Sequence, residues 1–164
     1  TSRSCLRELV VERRQFGCRR AGGIRAGGCT CGEQSFVEPG GLSDGEAERR
    51  LGEALARLPT YDPIVSTKVG IKTSGLTKRA HDFDPESVRK SIEESLQRLR
   101  RSRVDWLFLH GPPASVLTDA LLKTLVDLKF KGDIGEIGIC GRGDELDAAA
   151  STCQFTVFMT AVHA

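Results

Sequence analysis

Short apolar runs that alternate with amphipathic segments are the feature that most constrains the fold of this chain. Two of these runs, residues 64–68 and 106–110, each end on one ionisable residue, Lys68 and His110 respectively. Strands buried on both faces belong to parallel sheets, whose connections carry helices. Such folds collect their functional residues at the carboxyl ends of the strands. The sequence therefore predicts an α/β fold with a candidate site near Lys68 and His110.

From residue 44 onward, helical and strand patterns alternate along the chain. Asp84 before Pro85 is typical of a helix start, Ser43 or Asp44 is placed to cap an earlier helix, and Gly132 is typical of a helix end. The order αβαβαβαβ predicts a parallel sheet with right-handed crossovers. The predicted helices cover residues 46–58, 85–99, 117–130 and 144–150, and the predicted strands cover residues 64–68, 104–110, 134–140 and 155–162.

Residues 1–41 differ in kind from the rest of the chain. They hold four of the six cysteines and no lysine, and residues 18–28 have neither a helical nor a strand period. Three interpretations stay open for this segment: a disordered basic arm, a redox or metal-binding tail, or coding sequence read in a shifted frame. The composition favours the last. We predict an irregular segment over residues 1–41 and one α/β domain over residues 42–164.

The charge and hydropathy of the chain favour partners that are small molecules. Its 24 basic and 22 acidic residues leave a net charge of +2, which gives no field for selecting nucleic acid or an anionic membrane. No run of about 18 apolar residues is present, and the first residues do not resemble a secretion signal. We expect a cytoplasmic protein without nucleic-acid or membrane partners, and its oligomeric state stays open.

The cysteines predict neither a disulfide framework nor a metal site. Their spacing is irregular, so reduced thiols are the expected state. Cys29 and Cys31 are separated by a single residue, and they lack the second ligand pair that a zinc site requires. We therefore expect no bound metal.

The glycines around the strand at residues 134–140 are interpreted as structural. They do not have the G-x-G-x-x-G spacing of a dinucleotide-binding loop, and they allow tight turns and close backbone approach. Gly141, Arg142 and Gly143 precede Asp144, a predicted helix cap, and their N–H groups are candidate donors to a phosphate.

Five motifs in the regular part of the chain occur in a fixed order and spacing. They are residues 44–55 (DGEAERRLGEAL), 66–70 (STKVG), 91–99 (SIEESLQRL), 104–110 (VDWLFLH) and 131–139 (KGDIGEIGI). With these motifs, residues 42–164 resemble the aldo/keto reductase family. The resemblance extends over about three quarters of the chain.

The resemblance implies a (β/α)8 TIM barrel that binds NADP(H) and reduces aldehydes or ketones, or oxidises alcohols or sugars. In that family the nicotinamide gives a hydride to the carbonyl carbon and a tyrosine gives the oxygen its proton. A lysine paired with an aspartate lowers the pKa of the tyrosine, and a histidine orients the carbonyl. Lys68 matches the lysine and His110 the histidine. The positions that match cofactor contacts are Cys140, Gly141, Arg142 and Met159.

The chain departs from the family's pattern at several functional positions. Gly40 stands at the tyrosine position and Ser35 at the aspartate position, and Tyr61, the single tyrosine, lies outside the motif. Cys140 stands where a small hydroxylic residue is usual, and Met159 where an amide is common. The last strand counts as the sixth of eight, so we expect an incomplete barrel. These departures predict a fragment with impaired reductase activity. The alternative is a non-catalytic partial barrel that binds a nucleotide or a protein.

Overall fold

The computed structural model describes residues 24–28, 35–39, 45–74 and 78–160. Within this part, helices and strands follow one another from residue 46 in the predicted alternation. The strands are β1 (Ile24–Gly28), β2 (Ser35–Pro39), β3 (Ile64–Val69), β4 (Ile71–Ser74), β5 (Lys78–His81), β6 (Val104–His110), β7 (Ile134–Cys140) and β8 (Val157–Met159). The helices are α1 (Glu46–Ala56), α2 (Pro85–Leu99), α3 (Asp119–Lys131) and α4 (Asp144–Ser151), with one 3₁₀ turn at Ala114–Val116.

Six strands form one sheet in the order β1-β2-β3-β6-β7-β8. β1 and β2 are antiparallel, whereas every other neighbouring pair in this sheet is parallel. α2 connects β3 to β6 by way of the β4 and β5 hairpin, α3 connects β6 to β7, and α4 connects β7 to β8. The predicted α/β class, with parallel strands and intervening helices, is confirmed.

Two predicted helix boundaries are confirmed by their capping geometry. Asp84 accepts hydrogen bonds from the backbone N–H groups of Glu86 and Ser87, at 3.1 and 3.2 Å, immediately before α2. Gly132 follows α3 with a φ of 89°, in the left-handed region that favours glycine. The start of α2 and the end of α3 are therefore set by residue types that are favoured at helix caps.

The start of α1 differs from the prediction. Its N-cap is Gly45, with a φ of 78°, so the expectation that Ser43 or Asp44 caps this helix is wrong. A Cβ atom at Gly45 would overlap the side chain of Arg98, which packs against the start of α1. The positive φ and the approach of Arg98 both favour glycine at this end of the helix.

The hairpin of β4 and β5 was not predicted. Ile71 pairs with His81 and Ser74 with Lys78, in two strands of four residues each. Four residues give too short a period to separate a strand from a loop. β8 is also shorter than the predicted strand at 155–162, whose last two residues lie outside the described part.

Two strands fall inside residues 1–41, for which the sequence predicts irregular structure. β2 extends the parallel sheet, with Phe36 opposite Ile64 and Val37 opposite Val65. β1 then pairs with β2 in the antiparallel sense. Backbone pairing needs no side-chain period, which is why the pattern of the sequence did not reveal these strands. Residues 18–23 and 29–34 lie outside the described part.

The main core lies between the sheet and its helices. Alternate residues of the central strands face the helices, and the residues between them face the other side of the sheet. The strand residues of this core are Val65, Val69, Val104, Leu107, Leu109, Ile134, Ile137 and Ile139, and the helical ones include Leu51, Val88, Ile92, Leu99, Leu121, Leu125 and Leu128. At the carboxyl ends of these strands, Lys68, His110 and Cys140 come directly next to the core residues Val69, Leu109 and Ile139, so they lie on the face turned away from the helices.

A buried carboxylate joins three elements next to the candidate site. Glu48 of α1 is 8% exposed and accepts hydrogen bonds from Thr67 Oγ1 of β3 and from Arg98 Nε of α2, the latter at 2.7 Å. Thr67 is the residue before Lys68, so this network fixes the end of β3. Burying a charge is costly unless it is paired and hydrogen-bonded, and both conditions are met here.

Cys153 is disulfide-bonded, and its partner lies outside the described residues. The expectation of reduced thiols is therefore wrong for this residue, whereas Cys140 keeps its thiol. No helix in the described part of the chain is both long and apolar enough to cross a bilayer.

We expect Glu48→Ala to lower the free energy of unfolding by about 2 to 3 kcal/mol, because it leaves Thr67 Oγ1 and Arg98 Nε without their acceptor. Glu94→Ala is the matched control, since Glu94 pairs with the same arginine at 3.5 Å but has a side chain that is 47% exposed. Its loss should stay below about 0.5 kcal/mol. Urea denaturation followed by circular dichroism measures both, and equal losses would contradict the role given to Glu48.

Candidate active site

The ends of three neighbouring strands lie level with one another at the carboxyl edge of the sheet. His110 of β6 is the register partner of Cys140 of β7, and Cys140 is the partner of Met159 of β8. The chain continues this pairing beyond the strands, since Gly111 N–H donates to the Cys140 carbonyl at 2.7 Å and Gly141 N–H donates to the Met159 carbonyl at 3.0 Å. Three residues predicted from the sequence are thus brought side by side.

Lys68 lies on the adjacent strand at the same edge. It is the register partner of Phe108, two residues before His110, so Lys68 and His110 are on one face of neighbouring strands. Strand spacing and rise place their Cα atoms about 8 Å apart. Both residues are half-buried. The prediction that the ends of these two strands come together is therefore met by the register.

Aromatic residues form the floor under this edge. The Phe108 ring is 1% exposed and meets Trp106 edge to face, with centroids 6.4 Å apart. A Cβ atom at Gly138 would lie 2.6 Å from Phe108 Cδ1, so the ring needs a glycine on β7. Ser66 Oγ, on the same face as Lys68, is buried and has no hydrogen-bond partner in the described part. The floor is therefore mostly apolar, with one unsatisfied hydroxyl.

The loop between β7 and α4 does not present its N–H groups to a ligand in the expected way. Glu145 Oε2 accepts a hydrogen bond from Arg142 N–H at 2.9 Å. A Cβ atom at Gly141 would lie 2.6 Å from the same carboxylate oxygen, so this glycine leaves room for it. Three acidic residues occupy the first turn of α4: Asp144, Glu145 and Asp147. A phosphate at this helix start would face their negative charge.

Ser35, at the aspartate position, does not join the site. Phe36 pairs with Ile64, the first residue of β3, so Ser35 lies at the amino edge of the sheet. About five residues of strand, or roughly 16 Å, separate this level from Lys68. Gly40 lies outside the described residues. Tyr61 is 41% exposed and precedes β3, so it also lies toward the amino edge.

Sequence reasoning did not predict that the β4 and β5 hairpin reaches the site edge. Asp82 N–H donates to the carbonyl of Gly70, directly after β3, at 3.0 Å. A Cβ atom at Gly70 would overlap the ring of Phe83, which seals this turn. His81 and Asp82 are therefore carried to the same edge as Lys68. Their position depends on the hairpin. In the sequence, the one indication of a polar group here is Asp82, two residues before the Asp84 cap.

A family model for the aldo/keto reductase family matches residues 41–154. The chain belongs to the aldo/keto reductase family. Among its relatives, L-galactose dehydrogenase of Arabidopsis thaliana is 40% identical over 100 residues, which are 58% of this chain and 30% of that protein. The NADH-specific methylglyoxal reductase of Escherichia coli (strain K12) is 31% identical over 120 residues, with 66% of this chain and 37% of that protein covered.

Solved structures of the family show the same architecture. The glycerol dehydrogenase AKR11B4 from Gluconobacter oxydans superposes with a TM-score of 0.63 and 28% identity, covering 72% of this chain and 37% of that one. The chain thus spans 30 to 37% of the length of these three relatives. The structure is a partial (β/α)8 barrel, as the sequence predicted.

The residues at the predicted cofactor positions fit a nicotinamide dinucleotide poorly. A carboxamide is bound by strong donors and acceptors, whereas the Cys140 thiol is a weak donor and the Met159 thioether is only a weak acceptor. Arg142 N–H is already engaged by Glu145. Gly141 accommodates that carboxylate. The chemistry of these four positions therefore gives little support to the cofactor contacts expected there.

We expect Glu145→Ala to lower the free energy of unfolding by about 1 kcal/mol, because Arg142 N–H and the start of α4 lose an acceptor. Asp144→Ala is the control, since it removes a charge from the same helical turn but keeps the contact between Glu145 and Arg142. Its effect should be smaller, within about 0.5 kcal/mol. Urea denaturation measures both variants. A loss for Asp144→Ala as large as that for Glu145→Ala would show that charge alone stabilises this turn.

Proposed function

We propose that this chain carries part of an NADP(H)-dependent oxidoreductase site that acts on the carbonyl of an aldehyde or ketone, or on the hydroxyl of a sugar or other alcohol. The observation that supports it is the position of Lys68 and His110 on one face at the carboxyl ends of β3 and β6. Both lie in motifs shared with the family. The names of the relatives point to the same substrate classes: a sugar, a polyol and a small aldehyde.

The two side chains would divide the work at the substrate oxygen. The His110 imidazole would donate a hydrogen bond to the carbonyl oxygen and orient it over the edge of the sheet. The Lys68 ammonium would favour negative charge on that oxygen, or on a neighbouring proton donor, because an adjacent cation stabilises an anionic group. Both roles require only groups that the strand ends already hold in position.

Activity of these 164 residues taken alone is expected to be low. Gly40 and Ser35 supply neither a phenol nor a carboxylate at the positions of the tyrosine and aspartate. General acid catalysis contributes roughly 10²- to 10⁴-fold to the rate. The proposed role of Cys140, Gly141, Arg142 and Met159 in holding the cofactor is likewise weakened by their chemistry. We therefore infer an impaired reductase.

An NADPH- or NADH-oxidation assay on the purified chain, with a panel of aldehydes, ketones and sugars, tests this proposal. We expect a kcat/KM at least about 10²-fold below the 10⁴ M⁻¹s⁻¹ that marks the lower end for ordinary enzymes. Lys68→Met should abolish the residual rate, whereas Lys123→Met, which removes an exposed lysine of α3, should leave it unchanged.

Two outcomes of that assay would count against the proposal. Turnover in the ordinary range would refute the inferred impairment. A residual rate that survives Lys68→Met would show that the activity comes from elsewhere, for instance from a host reductase in the preparation. Comparing NADPH with NADH also decides the cofactor preference, which the NADH-specific relative leaves open.

The second candidate is a partial barrel that binds a nucleotide or a protein without catalysis. It is favoured by Gly40 and Ser35, because neither supplies the phenol or the carboxylate expected at the tyrosine and aspartate positions. Calorimetric titration with NADPH and NADH, together with size-exclusion chromatography, separates the two candidates and gives the oligomeric state. Binding without turnover supports the second candidate, whereas a monomer that binds neither nucleotide excludes it.

Two further predictions accompany the proposed function. The division near residue 42 agrees with the start of the family match at residue 41, and we propose that the reductase-like domain begins there. The cytoplasmic location expected from the sequence stays a prediction. The disulfide at Cys153 counts against it, because disulfides are rare in reducing compartments.

A further inference from the structure

The thiol of Cys140 and the thioether of Met159 stand beside His110, at positions where the resemblance predicts a hydroxyl and an amide. His110, Cys140 and Met159 are consecutive register partners on β6, β7 and β8, and we call them the sulfur row. All three are half-buried at the carboxyl edge of the sheet. The row places a nitrogen, a thiol and a thioether at one level of the fold, and the sulfur atoms are poorly suited to the cofactor contacts proposed for their positions.

The three side chains of the sulfur row project from one face of the sheet. The residues that precede them, Leu109, Ile139 and Phe158, pack into the core beneath the helices. Since side chains alternate along a strand, the row itself points to the opposite face. This arrangement follows from the register and from the core contacts together.

The spacing of the sulfur row suits a single ion. Neighbouring strands are about 4.8 Å apart, so the outer Cα atoms of His110 and Met159 are separated by about 10 Å. Metal bonds to sulfur and nitrogen are about 2.0 to 2.3 Å long, so the ligand atoms must come within about 4 Å of one another. The long outer side chains can lean inward, and the short Cys140 lies between them.

The ligand types select the ion. Thiolates and thioethers are soft ligands that favour Cu(I), whereas Ca²⁺ and Mg²⁺ take oxygen ligands. In the described part of the chain, no group of three His, Cys, Asp or Glu side chains is placed to hold a metal. A site here needs the thioether of Met159 as its third ligand, and zinc sites are built from thiolate, imidazole and carboxylate.

We propose that the sulfur row binds one soft monovalent ion, Cu(I), through His110 nitrogen, Cys140 Sγ and Met159 Sδ. The Cys140 thiol loses its proton on binding and the ion keeps its charge, so one proton is released and no electron is transferred. This replaces the expectation from the sequence that the chain binds no metal. The proposal does not depend on reductase activity.

The test measures Cu(I) affinity by anaerobic competition with a coloured Cu(I) chelator. The other five cysteines are replaced by serine, because those that are thiols would also take up Cu(I) and the disulfide of Cys153 could be reduced to thiols: Cys5, Cys18, Cys29, Cys31 and Cys153. We expect this five-serine variant to bind one equivalent of Cu(I). X-ray absorption should show two sulfur ligands and one nitrogen ligand.

Substitutions in the five-serine variant identify the ligands. Cys140→Ser should weaken Cu(I) binding at least about 100-fold and Met159→Leu about 10-fold, because each removes one soft ligand. His110→Ala should also weaken binding, whereas His81→Ala, a histidine on the hairpin at the same edge, should not. Zn²⁺ should compete poorly.

Several results would overturn the proposal. These are an affinity that Cys140→Ser leaves unchanged, equal effects of His110→Ala and His81→Ala, or tighter binding of Zn²⁺ than of Cu(I). Met159→Leu conserves volume, so it should fold even where other variants do not. If the five-serine variant loses its circular dichroism, Met159→Leu in the unmodified chain must still remove one sulfur ligand from the X-ray absorption of Cu(I). An unchanged signal there refutes the site.

Discussion

Parallel pairing of β3, β6, β7 and β8 is the constraint on which the rest of the structure depends. The register aligns four strand ends at one edge, and the hydrogen bonds of Gly111 and Gly141 carry that alignment past the last strand residues. Side-chain alternation then assigns each strand residue either to the core under the helices or to the opposite face. Every residue of the candidate site is placed by this backbone arrangement, because its neighbours in sequence are anchored in the core.

The ion pair of Glu48 and Arg98 complements that arrangement at the first parallel strand. Hydrogen bonds to Thr67 and Arg98 connect α1 to β3 and α2, next to the position that holds Lys68. The cost is visible at Gly45, where the arginine leaves no room for a Cβ atom. The hydrogen bonds of Glu48 therefore set the position of α1 relative to β3 and α2. The glycine before α1 leaves room for the arginine that takes part in them.

The fold was largely predictable from the sequence, whereas the chemistry around the site was not. Short, mostly apolar runs located β6 and β7 to the residue, and Asp84 with Pro85 located the start of α2, because these signals are local. β2 was not predicted because its pairing partner β3 lies far away in sequence, and the β4 and β5 hairpin was not predicted because strands of four residues give too short a period. The engagement of Arg142 by Glu145 was not predicted either, since a glycine-rich turn before a helix looks the same whether a ligand or a side chain meets its N–H groups.

Family membership and site chemistry separate in this chain for a physical reason. The motifs shared with aldo/keto reductases are mostly those that build strands, helices and turns, and backbone pairing tolerates many side chains on the open face of the sheet. Lys68 and His110 are the residues that we propose for the reductase chemistry on that face, whereas Cys140 and Met159 place two sulfur atoms beside His110. Sulfur is a weak hydrogen-bond partner but a strong ligand for soft ions, so these two side chains weaken one kind of recognition and create another. The same strand register can therefore support either hydrogen-bonded recognition or the binding of a soft ion. The side chains of β7 and β8 determine which of the two it supports.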